Sequence, residues 1–223
     1  MPNKIEFSPR IPQSDGEISH EMMHLAMFFL VVISLSLFTI SSAGDPRAEL
    51  IQSFVKLQTA YPYRLTEIGS VAGMNNGQPG KRVLEMAGPE DFHLKWTSGT
   101  IDMESISING KSYYKLKGNW VATQGSKAEE SSPTNLDMNE VVKAIKDVKT
   151  IGPENLNGVA CTKYSFRFNP AEMSIEGDGT AWVGADGLPR KADLNLNASG
   201  MQVKSSLVYE YDKNIRIVAP AMN

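Results

Sequence analysis

TAWVGADGLPRKADLNLNASGMQVKSSLVYEY, residues Thr180 to Tyr211, reads as strand-like runs separated by tight turns. From Leu188 to Asn197, Ala192, Leu194 and Leu196 alternate with Lys191, Asp193, Asn195 and Asn197. On the next run Met201, Val203, Leu207, Tyr209 and Tyr211 oppose Gln202, Lys204, Ser206, Glu210 and Asp212. Side chains alternate across a strand, so each run has one apolar and one wet face, the signature of antiparallel sheet. Asp186-Gly187 supplies the bend between two of the strands. The stretch carries no catalytic group, which suggests that the surface of the sheet is the functional part.

The same alternation extends in both directions. Strands are expected at Ala160–Phe168, where Tyr164, Phe166 and Phe168 share a parity, at Thr180–Val183, and at Ile215–Val218. Earlier in the chain they are expected at Tyr63–Val71, Lys81–Ala87, Phe92–Thr97, Ile101–Ile108 and Lys111–Leu116. The turn signals between these are NNGQPG, Gly88-Pro89, Ser98-Gly99 and Asn109-Gly110. Residues Val121 to Pro133 are polar and read as a solvated loop.

Two segments have helical spacing instead. Asp45 is an N-cap and Pro46 a first-turn residue, followed by Leu50, Ile51, Phe54 and Leu57 on one face until Pro62. Thr134 or Asn135 caps a second helix with Met138, Val141, Val142, Ile145 and Val148 on its apolar face, ended by Gly152-Pro153. Strands and helices do not alternate as βαβ units, so the pattern predicts an α+β domain with an antiparallel sheet.

Composition excludes several classes. The 223 residues carry a formal net charge of −3 and no Lys/Arg cluster, so nucleic acid is not an expected partner. Cys161 is the single cysteine and its neighbours Ala160 and Thr162 do not activate it, so it reads as core filling. His20 and His24 lie in the N-terminal segment, leaving His93 alone in the domain, on the wet parity of its strand. That is too little for a histidine metal cluster or a Ser-His-Asp triad, and no metal, cofactor or enzymatic activity is expected. GQPGKR and NGKSYY lack the spacing of a phosphate loop, Asp178 and Asp186 read as turn formers, and Lys143, Lys146 and Lys149 read as the solvent face of the second helix.

The N-terminus divides into an arm, residues 1–24, and a segment, residues 25–43, before a domain spanning 44–223. Leu25–Ile40 is an uncharged apolar run of 16 residues followed by Ser41, Ser42, Ala43 and Gly44. This is a cleavable export signal in outline, although the preceding arm is acidic. Met22–Ala43 also approaches the roughly 20 residues of an uncleaved membrane anchor. Either way the domain is expected outside the cytoplasm, periplasmic or otherwise extracytoplasmic. Asp45 stands where a lipid-modified cysteine would follow SSAG, so lipidation is not expected.

AGPEDFHLKW, ISINGKSYYKLKGNW, GTAWVGADGLPRKADLNL and VYEYDKNIRIVAP together resemble the LolA-like superfamily, which includes the periplasmic lipoprotein carriers and lipid-binding lipoproteins of the LppX/LprG type. The resemblance spans about Asp45 to Pro220 and is nearer the second type in its second half. It implies an incomplete β-barrel of about ten antiparallel strands, strongly curved and wrapping two or three helices. It also implies an interior that receives acyl chains of lipids or lipoproteins, with membrane-bound donor and acceptor proteins as partners. In the carriers an Arg precedes the Pro aligned with Pro89 and helps keep the lid closed, and Gly88 cannot take that part. Candidate lining residues are Leu84, Met86, Phe92, Leu94, Trp96, Tyr114, Leu116, Phe166, Phe168, Leu194 and Leu196. A tethered envelope-stress sensor with the same domain is the alternative, favoured if the anchor is retained.

Overall fold

The computed structural model describes residues 44–71, 79–123, 138–170 and 174–222. The segment 25–43, the cap Thr134 or Asn135, and most of NNGQPG and of the 121–133 loop lie outside them. Helix α1 is Pro46–Leu57, followed by strands β1 (Tyr63–Val71), β2 (Gly80–Met86), β3 (Phe92–Ser98), β4 (Ile101–Ile108), β5 (Lys111–Leu116) and β6 (Asn119–Thr123). After helix α2 (Met138–Ala144) come β7 (Ile145–Leu156), β8 (Val159–Phe168), β9 (Ile175–Gly184), β10 (Pro189–Ala198) and β11 (Met201–Glu210). The strands form one sheet in the order β6-β5-β4-β3-β2-β1-β11-β10-β9-β8-β7, every neighbour antiparallel. Two meanders, β1 to β6 and β7 to β11, therefore meet where the first strand pairs with the last. The sheet is not closed: β6 and β7 are its two ends.

The tight turns form where Gly and Asn permit positive φ. Asn109 and Gly110 have φ of 52° and 70°, the two-residue hairpin expected of Asn-Gly. At the Asp186-Gly187 bend the Leu188 N–H donates to Asp186 Oδ1 at 3.1 Å, and Gly187 takes φ 76°.

α1 begins as its sequence dictates, the Asp45 carboxylate accepting from the Arg47 N–H at 2.9 Å with Pro46 in the first turn. Its buried stripe, Leu50, Ile51, Phe54 and Leu57, lies over the β7 to β10 side of the sheet. Three polar contacts fix that placement. Tyr164 Oη donates to Glu49 at 2.5 Å, the Arg47 guanidinium donates to the carbonyls of Val142 and Ile145 at 2.7 and 3.0 Å, and Lys56 Nζ donates to the Asp186 carbonyl at 3.2 Å. The Arg47 contacts cap carbonyls at the end of α2, which α2 itself leaves without intrahelical donors.

Several expectations are corrected. The second helix stops at Ala144, and Ile145 and Val148 belong to strand β7. Ile145, Val148, Thr150 and Ile151 are β-branched and favour strand, and β8 offers an edge to pair with. Lys146 and Lys149 thus lie on a strand, not a helix face, and Pro153 is tolerated because β7 is an edge. Asn119–Thr123 is a strand that enters the expected loop. Ile215–Val218 is not a strand, because β11 already has β1 and β10 on its two sides and leaves no edge to pair with. Ile215 is buried at a turn, its N–H donating to the Asp212 carbonyl at 3.1 Å. β9 begins five residues before the expected start, at Ile175, so Asp178 sits within a strand opposite Arg167 and Asn195 instead of forming a turn.

Candidate functional site

Cross-strand partners in an antiparallel ladder point to the same side of the sheet. The register Tyr114, Ser105, Leu94, Leu84, Leu65, Tyr209 runs from β5 to β11 on one side, and Phe166, Gly179, Leu194, Ser205, Gly69 continues that side from β8 to β1. All eleven candidate lining residues share this inner face, but they differ in what covers them. Leu84, Met86 and Phe92 are buried in a cluster with Leu57 of α1, Tyr63, Leu65 and Tyr209. Phe166 is buried against Leu50 and Phe54, and Leu196 packs with Ile175, Ala198 and Val203. Half-buried Leu194 touches all three clusters, and Phe168 touches two. These positions have helix or sheet against them.

Strands β3 to β6 are different. Leu94, which packs against the first cluster, Trp96 and Tyr114 are only half-buried, and Leu116 is 60% exposed. Two residues that the sequence reasoning passed over continue the surface: Met103, opposite Trp96, is 47% exposed and Val121, opposite Tyr114, 43%. An open apolar patch of Leu94, Trp96, Met103, Tyr114, Leu116 and Val121 therefore occupies the inner face of one wing. Their alternation with Lys95, Lys115 and Trp120 was visible in the sequence, but nothing in it told which wing the helix would cover.

Also on the inner face, β1 and β2 place a charged pair. Glu67 shares its parity with Tyr63 and Leu65, and Arg82 with Leu84 and Met86. The two are register partners joined by an ion pair, with Arg82 only 7% exposed, and Ser205 Oγ on β11 donates to Glu67 Oε1 at 2.5 Å. Tyr209 is close enough to feel both charges; burial, first, and the Glu67 carboxylate raise its phenol above the ordinary range.

The outer face carries a ladder of alternating charge. Glu210 and Glu85 flank Arg64 at 3.1 and 2.7 Å. His93 lies between Glu85 at 3.6 Å and Glu104 at 2.9 Å, and Lys115 reaches Glu104 at 2.8 Å. His93 is thus half-buried within a network rather than a free surface residue. Burial raises the Glu104 carboxyl, but the hydrogen bonds and charges of Lys115 and His93 outweigh it and leave the group below its ordinary range. On the other wing Trp182 is buried on the outer face beneath the ammonium groups of Lys191 and Lys163, 4.6 and 4.8 Å from its ring. The Cys161 thiol is buried, and burial pushes its pKa up, which fits a packing role. No cluster of three or more metal-ligating side chains occurs among the described residues, and no described helix is long and apolar enough to cross a membrane.

No protein-family model matches the chain, and no curated protein matches its sequence. Solved structures do. The lipoprotein LppX of Mycobacterium tuberculosis aligns with a TM-score of 0.52 at 14% identity, covering 79% of this chain and all of that one. LprF of Mycobacterium bovis aligns with a TM-score of 0.51 at 13% identity, covering 81% of this chain and all of that one. The fold is therefore the one seen in LppX and LprF, an open antiparallel sheet, with two helices among the described residues where two or three were expected.

Proposed function

We propose that the chain is an exported lipid or lipoprotein carrier whose half-barrel shields acyl chains on its apolar inner face. The observation that carries this reading is the uncovered patch on β3 to β6, where Met103, Leu116 and Val121 stand 47, 60 and 43% exposed beside half-buried Leu94, Trp96 and Tyr114. Water against so much apolar surface is costly, and contiguous apolar patches mark interaction or ligand sites. Burying one CH2 is worth about 0.8 kcal/mol, so a long acyl chain gains several kcal/mol without a specific polar contact. The covered candidates Leu84, Met86, Phe92, Phe166 and Leu196 form the floor and wall, while Leu94, Trp96, Tyr114 and Leu116 offer the contact surface.

The structural neighbour LppX is named a lipoprotein, which supports an extracytoplasmic role, as does the signal-like Leu25–Ile40. On this reading membrane-bound proteins or membranes donate and accept the cargo. Native mass spectrometry of gently purified full chain, followed by lipid extraction, tests the proposal. A bound acyl lipid, or uptake of a fluorescent fatty acid that Leu116→Ser with Val121→Ser weakens, is the expected result. Purified protein that carries no lipid and takes up no fatty acid would sink it.

A further inference from the structure

Among the described residues, the paired inner-face positions of β1 to β6 and β8 to β11 hold just two charged side chains, Glu67 and Arg82. They pair with each other and with Ser205 in a setting that is otherwise Leu, Tyr, Trp, Met, Val, Ala, Gly and small hydroxyl residues. A buried ion pair is weak evidence for stability, since apolar side chains of similar volume do as well, and its attested uses concern specificity. The location points to a ligand. The register row runs from Glu67 on β1 through Arg82 on β2 and Trp96 on β3 to Met103 on β4. The guanidinium therefore stands at the border where the covered core ends and the open apolar patch begins. From Arg82 on β2 to Val121 on β6 is four strand spacings, about 19 Å, comparable with an extended long acyl chain.

We infer that Arg82 anchors an oxyanion, carboxylate or phosphate, on the head of an acyl ligand whose chain lies across Trp96, Met103, Tyr114 and Val121. This rests on the carrier reading above and adds the chemistry of the head group. Glu67 holds one side of the guanidinium. The incoming oxyanion shares the five-donor guanidinium with Glu67, which keeps its ion pair and the Ser205 hydroxyl that donates to it at 2.5 Å. Arg is suited to this sharing because its planar fork matches carboxylate and phosphate geometry.

The test compares heads on one tail. Full-length protein is titrated calorimetrically with dodecanoate, dodecyl phosphate, dodecanol and inorganic phosphate, alongside a variant combining Arg82→Gln with Glu67→Gln, which removes both charges and leaves neither unpaired. Wild type is expected to bind at least one of the two anionic amphiphiles about tenfold or more tightly than dodecanol, and inorganic phosphate not measurably. The double variant is expected to lose that preference while its dodecanol affinity stays unchanged, which also establishes that it is folded. Equal affinity of the wild type for all three amphiphiles, or a preference that survives in the double variant, overturns the inference and leaves the carrier reading standing. Binding of inorganic phosphate as tight as that of the amphiphiles overturns it in favour of a small-anion site. If no amphiphile binds at all, both fail together.

Discussion

The two wings of the sheet are built from the same alternating strands and differ in what lies over them. β7 to β10 carry α1, and Phe166, Tyr164, Ala181 and Val183 are buried against Leu50 and Phe54. On β4 to β6 Met103, Leu116 and Val121 are exposed, with Trp96 of β3 and Tyr114 half-buried, while Phe92, Ser107 and Ser112 nearer the other end of the same strands are buried. Identical binary patterns thus produce a packed core on one side and a receptive surface on the other. What differs is an amphipathic helix of 12 residues, with Val141 and Val142 of α2 beside it, and the polar contacts of Glu49, Arg47 and Lys56 that hold it to one side.

Mutations sort the wings by what they cost. The largest expected effect is on the covered side: Phe166→Ala should lower unfolding free energy by about 3–5 kcal/mol in urea titration. At the border Arg82→Met alone should cost about 3–5 kcal/mol, by leaving Glu67 buried without its cation, whereas combining it with Glu67→Leu should restore most of that stability. Gly179→Ala should cost about 1–3 kcal/mol, since a Cβ there collides with the Phe166 ring packed over that glycine. Leu116→Ser on the open wing should change stability by no more than about 0.5 kcal/mol. A loss as large as that of Phe166→Ala would mean that the two wings are equally packed.

Acid separates the wings further. The Glu104 carboxyl is held below its ordinary range in the folded protein, so its stabilising contribution is complete above the unfolded value of about 4.3 and is lost as pH falls through the folded value. Glu104→Gln should therefore flatten the acid limb of the stability profile below about pH 4, as read by thermal melts across pH. Retention of the wild-type acid limb in that variant would remove the outer ladder from the account of the open wing's stability.

Much of this architecture was legible in residue spacing. Alternation gave the strands on either side of Asp186-Gly187 and Asn109-Gly110, and Asp45-Pro46 gave the start of α1. β7 misled because Val141, Val142, Ile145 and Val148 also fit a helical face, and only pairing with β8 decides between the two. The early part of β9 was hidden by Gly177 and Gly179, whose missing side chains make room for Phe166 and for the β10 backbone instead of marking a turn. For the candidate site, parity within strands grouped Phe92, Leu94 and Trp96, grouped Phe166 with Phe168, and grouped Leu194 with Leu196, but Glu67 and Arg82 were not singled out. It could not reveal which of the candidates α1 would cover, because that depends on contacts between segments about 100 residues apart, such as Arg47 with Val142.

The seam between β1 and β11 sets an order of assembly. Arg64 pairs with Glu210 across nearly the whole domain, so the central ladder cannot form until the last strand is available. A chain emerging N-terminus first can zip β1 to β6 early, but holds β1 as an unpaired edge beside its greasy inner face until β11 arrives. Shortening the C-terminus by a single strand would thus not trim the sheet at a margin. It would divide the molecule in two, and leave the half with the open apolar patch without its partner.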